Sequence, residues 1–270
     1  MEKKQTFTYH CKGETVGAAD ALVEVSGFSK AKIKGLMSAG AVWLHAGKKQ
    51  KVIRRASSLV KKDEKIKLYF DPNIKEFDMS KVQCVHDTHN WGIWFKPAGL
   101  LSQGTKYGDE FTILRHIEKS INREVFLIHR LDRETSGLMI FAYNKKAARL
   151  LSEQIRERSI RKFYQAVVHG TLSESGESHD PIDDKEAHTK YEVVSHKDGN
   201  TNLDVEIITG RKHQIRIHLA NIGYPVIGDK AYGKRDGRSL KLVAYKLILN
   251  DPYRPEKQLE VSISEKEKLF

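Results

Sequence analysis

Cysteine is almost absent from this 270-residue sequence: there are two, Cys11 and Cys84, far apart and outside any CxxC pair. That excludes a disulfide framework and a cysteine-built zinc site, and it fits a reducing cytoplasm. Long apolar runs are missing too, and none approaches the roughly 18 residues that a membrane span needs. The opening Met1-Glu2-Lys3-Lys4-Gln5-Thr6 leads into polar sequence rather than the apolar stretch of an export signal. A cytoplasmic chain with no membrane partner is expected. No Gly-rich phosphate cradle, dinucleotide fingerprint, GxSxG or Cys–His arrangement is present. His213 and His218 stand five apart, which suits neither the i, i+4 zinc pair nor a cluster with a carboxylate. The chemistry is therefore expected to run on carboxylate, arginine and tyrosine, with no metal and no cofactor.

What the chain has is positive charge. Forty-seven Lys and Arg against thirty-five Asp and Glu leave +12, and the excess is concentrated. Twelve cations lie between Lys30 and Lys67, among them Lys32, Lys34, Lys48, Lys49, Arg54 and Arg55, and only Asp63 and Glu64 oppose them. Such a cluster suits a polyanion, because each neutralised phosphate releases counterions and adds affinity. A basic run alone is accounted for equally well as a solvated face.

Two regions follow from the patterning. From Thr6 to Asp71 the order is a short helix around Asp20–Val25, then a helix capped by Ser29 with Ile33, Leu36 and Met37 on one face and Gly40 at its end. Strands at Ala41–His45 and Lys65–Tyr69 come next, with a turn at Gly47. From Val85 onward strands dominate, at Trp91–Phe95, Val125–Ile128, Leu138–Ala142, Phe163–Val168, Tyr191–Val194, Leu203–Ile208, Leu240–Leu249 and Gln258–Ile263. Phe111, Leu114 and Ile117 have helical spacing, Asn144 can cap a helix through Arg158, and the acidic stretch from Ser173 to Glu186 reads as an exposed loop. Strands and helices do not alternate strictly. The expected fold class is therefore α+β with a large, mainly antiparallel mixed sheet, preceded by a small α+β domain. The expected boundaries are 1–72, a linker 73–84, and 85–270.

The strongest candidate for chemistry is the turn after Ile128. His129-Arg130-Leu131-Asp132-Arg133-Glu134-Thr135-Ser136-Gly137 lies between two apolar strands, and its hydroxyls can tie the loop's own amides. Asp132 would then sit at a sheet rim between Arg130 and Arg133. His129 is expected to be a hydrogen-bonded structural histidine. On charge alone, an ion-pair cluster in a hairpin explains the turn better than an active site does.

Company decides between these readings. The segment His129–Leu138 resembles the central motif of the RluA family of pseudouridine synthases, which isomerise uridine in ribosomal or transfer RNA. Lys96-Pro97-Ala98-Gly99-Leu100-Leu101 is similar to that family's first motif. Arg161–Gly170 is similar to its KxYxAxVxG strand, and Thr209–Ala220, continuing through Asp229, to its long third motif. Phe95 stands where Asn is common before Lys-Pro, and Lys212 where Thr or Ser is common; neither touches the expected catalytic set. In the first region, Phe28–Val42 and Val60–Ile66 resemble the ribosomal-protein-S-four-type (alpha-L) RNA-binding domain.

The resemblance implies that Asp132 is the catalytic aspartate, that Arg216 forms its buried salt bridge, and that Tyr164 stacks on the target base. It further implies that Arg130 enters the space left by the flipped nucleotide. Gly210 would permit a sharp entry into a helix from Lys212 to Asn221, and Leu247 or Leu249 would floor the pocket. RNA contacts are expected from Lys30, Lys32, Lys34, Lys48, Lys49, Arg54 and Arg55, and from Arg211, His213 and Gln214. The expected partner is RNA, ribosomal before transfer RNA, and the expected state a monomer. Two rivals remain: a non-catalytic RNA-binding or ribosome-assembly factor, and a carboxylate hydrolase. The first would have lost Asp132, Tyr164 or Arg216, and all three are present. The second needs carboxylates flanking a scissile bond, and Asp132 and Glu134 share one short turn.

Overall fold

The computed structural model describes residues 2–74 and 76–270, so Met1 and Lys75, the latter inside the expected linker, lie outside the described residues. The chain packs into two compact units, Met1–Met79 with Gln103–Ile121, and Ser80–Ser102 with Asn122–Phe270. This partition differs from the boundaries read in sequence, because residues 103–121 are packed into the first unit.

In the first unit the strands are β1 (Gln5–His10), β2 (Val16–Gly17), β3 (Val42–Ala46), β4 (Lys49–Val52), β5 (Leu59–Val60) and β6 (Lys65–Phe70). Four of them form an antiparallel sheet in the order β1-β6-β3-β4, and β2 pairs with β5. Helices α1 (Ala18–Ser26) and α2 (Lys30–Ser38) precede the central strands, and α3 (Ile113–Ile121) belongs to the segment that returns to this unit. Ser29 caps α2, its hydroxyl accepting from the Lys32 amide at 3.2 Å. Leu22, Ile33, Met37, Val42, Ile66 and Leu68 are fully buried and form the core. In the returning segment the Asp109 amide donates to Ala39 O at 2.9 Å. The buried stripe of α3 is Ile113 and Ile117, not Phe111, Leu114 and Ile117, because the helix starts later than the spacing suggested.

The second unit holds one ten-stranded sheet. Its strands are β7 (Gln83–Asp87), β8 (Trp91–Lys96), β9 (Phe126–Leu127), β10 (Ser136–Ala142), β11 (Arg161–His169), β12 (Gly176–Ser178), β13 (Thr189–Lys197), β14 (Asn200–Ile207), β15 (Leu242–Asp251) and β16 (Arg254–Ser262). The order is β12-β13-β14-β11-β15-β10-β8-β7, with β16 also on β15 and β9 also on β10. All pairings are antiparallel except β10 with β15, which makes the sheet mixed but mainly antiparallel, as expected.

The parallel pairing depends on Gly137. Its φ is +125°, and a Cβ there would lie 2.2 Å from Ala244 O, so no larger residue fits without moving one strand. Helix α4 (Lys145–Arg156) is capped by Asn144, whose Oδ1 accepts from the Ala147 amide at 2.9 Å. It buries Ala147 and Leu151 against a core that includes Trp91, Ile93, Leu138, Ile140, Val243, Leu247 and Leu249. Helix α5 (Gln214–Asn221) follows β14. Among the described residues no helix is long and apolar enough to cross a membrane.

Candidate active site

The turn carrying Asp132 is fastened on both sides. Before it, the Ser102 hydroxyl donates to Leu131 O at 2.6 Å and accepts from the Leu131 amide at 3.1 Å. After it, Arg133 O accepts from the Gly99 amide at 2.7 Å and from Lys96 Nζ at 3.1 Å. The Thr135 amide closes the turn onto Asp132 O at 3.2 Å. Lys96 is fully buried, and its ammonium also donates to Pro97 O and Leu100 O at 3.1 and 2.9 Å. Burial pushes its pKa down to about 7, against the pull of Glu134 and Asp132. The Lys-Pro-Ala-Gly segment and the Asp132 turn are thus one hydrogen-bonded object. Arg133 points back to Gly99 O at 3.0 Å, and the Glu134 side chain is 57% exposed. The Asp132 side chain is 22% exposed.

Opposite the turn stands α5. The φ of +57° falls on His213, its N-cap, rather than on Gly210, so the sharp entry expected at the glycine is made by a histidine. Ile215 and Leu219 face inward, and Arg216 between them is 9% exposed at its side chain. Its Nε and Nη2 donate to the two oxygens of Asp229, both at 2.7 Å, while Nη1 lies 3.5 Å from Asp132 Oδ2. The salt bridge expected with Asp132 is therefore made chiefly with Asp229, whose side chain is wholly buried. Burial alone would raise the Asp229 pKa, but the guanidinium and the amides of Tyr232 and Ala231 hold it below the ordinary carboxylate range. A bidentate pair of this kind fixes the guanidinium in both position and plane. His213 Nε2 lies 3.7 Å from the same Asp132 oxygen, and its Nδ1 lies 2.9 Å from the Tyr232 hydroxyl. Burial, with Arg216 and Lys212 nearby, outweighs Asp132 and lowers the His213 pKa.

Tyr164 completes the wall. It lies on β11, paired with Val205 and Ala244, and is 6% exposed. Burial, reinforced by the Asp132 charge, pushes its phenol far up, so the hydroxyl keeps its proton. Asp132, Tyr164, Arg216, Arg130, Arg211, His213 and Gln214 all line one cavity of 160 Å³, floored by Leu131, Ile207, Ile215 and Leu242. That volume suits a single ring rather than a drug-sized ligand. Asp132 is the one carboxylate among its described lining residues, which argues against the hydrolase reading. Leu247 and Leu249 belong to the hydrophobic core and are not among the residues that line this cavity, so they are not the expected floor.

Some expected RNA contacts turn out to be occupied within the protein. Gln214 is buried, and its amide bonds Thr209 Oγ1, the Arg211 amide, His188 O and Thr189 Oγ1, so it serves the loop rather than a ligand. Arg54 is held by Ser38 O and Asp109. Lys30 pairs with Asp20 at 2.5 Å, and Lys32 sits over the rings of Phe28 and Phe70. Lys34, Lys48, Lys49 and Arg55 are exposed. Arg130 has no hydrogen-bond or ion-pair partner among the described residues. His129 is neutral: burial pushes it down to about 3, and its Nε2 accepts from the Ile140 amide at 3.2 Å. The sequence reading missed one metal-ligand type of cluster on the β12–β13 hairpin, where Glu177 lies 3.2 Å from His179 and 3.0 Å from His188. It also missed Asp229, Lys96 and Ser102 as members of the site, although the first two lie inside quoted motifs.

Comparison with known proteins gives this geometry its class. The RNA pseudouridylate synthase family model matches residues 90–221, a span that contains Asp132, Tyr164 and Arg216. An uncharacterized RNA pseudouridine synthase of Aquifex aeolicus is 30% identical over 269 residues, covering 85% of this chain and 84% of the relative. The ribosomal large subunit pseudouridine synthase D of Borreliella burgdorferi is 28% identical over 231 residues, covering 73% of this chain and 71% of the relative. Among solved structures, human RNA pseudouridylate synthase domain containing 4 superimposes with a TM-score of 0.56 at 25% identity, covering 67% of this chain and 87% of that one. The chain belongs to the RNA pseudouridine synthase family, and its enzyme class is that of an isomerase.

Proposed function

We propose that this chain isomerises uridines in ribosomal RNA, using Asp132 on a nucleotide flipped into the cavity beneath Tyr164. The observation that carries the proposal is the placement of a lone carboxylate beside a fixed guanidinium and a protonated tyrosine, in a cavity sized for one ring. The reaction breaks the bond between uracil N1 and ribose C1′, turns the base and rejoins it through C5. Atoms and electrons balance within the nucleotide, so the chemistry calls for no cofactor.

Asp132 has two routes: attack on C1′ as a nucleophile, or removal of the ribose 2′ proton. Either uses the Asp132 side chain as its reacting group, and Arg216, fixed in place by Asp229, turns its remaining nitrogen toward Asp132 Oδ2 at 3.5 Å. Tyr164 stacks on the base, and Arg130, unpaired and exposed, fills the place the base left. Unstacking a base costs a few kcal/mol, least in single-stranded RNA.

The ribosomal target is supported by the Borreliella burgdorferi relative, whose name assigns it to the large ribosomal subunit. The exposed cations Lys34, Lys48, Lys49 and Arg55 support an RNA-holding role for the first unit, in the manner of an alpha-L domain. A cytoplasmic monomer fits this work. The deciding experiment maps pseudouridine in ribosomal and transfer RNA from cells with and without the protein. Loss of one or more ribosomal sites supports the reading, loss confined to transfer RNA reassigns the substrate, and unchanged maps reject it.

A further inference from the structure

Beside the catalytic cavity lies a second, larger one of 430 Å³, which shares Arg130, Tyr164, Ile207, Gly210 and Arg211 with the first. Its remaining wall includes Arg156, Arg158 and Lys162, and none of its described lining residues is a carboxylate. Arg158 is neutralised by Glu186, at 2.6 and 3.0 Å, and Arg211 Nε bonds Glu186 O at 2.8 Å. Lys162 is different. It is 8% exposed, yet it has no hydrogen-bond or ion-pair partner among the described residues. A buried ammonium without a carboxylate is costly to the fold, and burial lowers its pKa with nothing opposing the shift. Gly210 stands beside it in the cavity wall: a Cβ at that position would be in van der Waals contact with Nζ, at 3.8 Å.

We propose that this cavity is a phosphate subsite, in which Lys162 receives a phosphodiester of the RNA strand next to the flipped uridine. The inference rests on the uridine-isomerase reading above and adds to it the site where the adjoining backbone is held. The shared wall of Arg130, Tyr164 and Gly210 makes the two cavities neighbours, as a base and its own backbone must be. The cation is kept unpaired in the free protein because its partner arrives with the substrate, and one anionic oxygen supplies both the missing charge and the missing acceptors.

The test compares Lys162→Met and Lys162→Arg with the wild type. Unfolding midpoints are measured with and without inorganic phosphate. Affinity is measured against KCl concentration on RNA purified from cells lacking the protein. For Lys162→Met we expect a midpoint in phosphate-free buffer equal to or above that of the wild type, and no phosphate-induced rise. We also expect RNA affinity about tenfold weaker near 0.15 M salt, with the log–log salt slope shallower by about one. Lys162→Arg should keep the slope. Wild-type affinity and slope in Lys162→Met would overturn the proposal, as would a large fall in its phosphate-free midpoint, which marks a structural lysine. A phosphate response without a change on RNA would assign the site to free phosphate and reject the RNA backbone. Tritium release from 5-tritiated uridine in the same RNA, measured on the wild type, separates this result from failure of the isomerase reading.

Discussion

Arg216 gives its two shortest bonds, both 2.7 Å, to Asp229 and meets Asp132 at 3.5 Å. The guanidinium is therefore a bridge between two carboxylates of unequal standing: one fully buried that fixes it, and one at the cavity that uses its remaining nitrogen. Asp132 thus faces a positive charge whose position does not depend on Asp132 itself, so loss of either carboxylate has a different consequence.

Asp229→Asn removes the buried partner. Breaking a buried pair by deleting one member typically costs about 3–5 kcal/mol, because the other charge stays buried. We expect a lower urea midpoint and, in the fraction that folds, weak tritium release. A stability equal to that of the wild type would show that Asp132 alone can neutralise Arg216.

Asp132→Asn should behave in the opposite way. The side chain is partly exposed and Arg216 keeps Asp229, so the unfolding midpoint should stay close to that of the wild type. RNA affinity should stay within a few-fold, and tritium release should vanish. Turnover in a clean Asp132→Asn preparation would refute the catalytic assignment.

The contrast between those two aspartates shows what could be read in the sequence. The turn at Asp132 was legible because apolar strands bracket it, and the sheet was legible because its strands are apolar runs ended by polar turns. The two inner positions of α5, Ile215 and Leu219, followed from helical spacing. Partners did not follow. Asp229 lies 13 residues beyond Arg216 across a loop, so no periodicity joins them, and Gln214 looks like an exposed polar residue until its four bonds are seen. Which leucine of β15 reaches the cavity did not follow either: the register with β11 shifts between Phe163 and Tyr164, so simple alternation fails between Leu242 and Leu247, and only the packing shows that Leu242 lines the cavity. Residues 103–121 read as part of the second region because nothing in their composition reports that Asp109 bonds Ala39.

Lys96→Met tests whether the Asp132 turn is held from behind. Methionine fills the space but leaves Pro97 O and Leu100 O without the ammonium, and Arg133 O with only the Gly99 amide. Charge-assisted hydrogen bonds of this kind contribute about 1.5–3 kcal/mol each, and a displacement on the order of 1 Å at a catalytic group can cost about a hundredfold in rate. The expected result is a kcat lowered more than tenfold with KM changed only a few-fold, because Lys96 holds the carboxylate and touches no RNA. A KM effect alone would place Lys96 in binding instead.

His129 sets a pH limit on the fold that is separate from catalysis. Its imidazole accepts from the Ile140 amide through Nε2, a bond that exists only in the neutral form, and burial pushes its pKa down to about 3. The unfolded chain takes up that proton near the ordinary histidine value of about 6.5. Between these two values the unfolded state holds one more proton than the folded state, so stability is present above the upper value and is lost as pH falls toward the lower one. The slope for one such group is at most about 1.4 kcal/mol per pH unit. Other histidines with lowered values, among them His213, act in the same direction, so wild type alone cannot isolate the effect. His129→Gln can, because a glutamine oxygen is able to accept from the Ile140 amide and does not titrate. Urea unfolding at pH 7, 6, 5 and 4.5 should show the wild type losing stability faster than His129→Gln, with their difference shifting by about 1 kcal/mol per unit below pH 6. Parallel pH profiles for the two proteins would mean that His129 is protonated in the fold and that the Ile140 amide has found another acceptor.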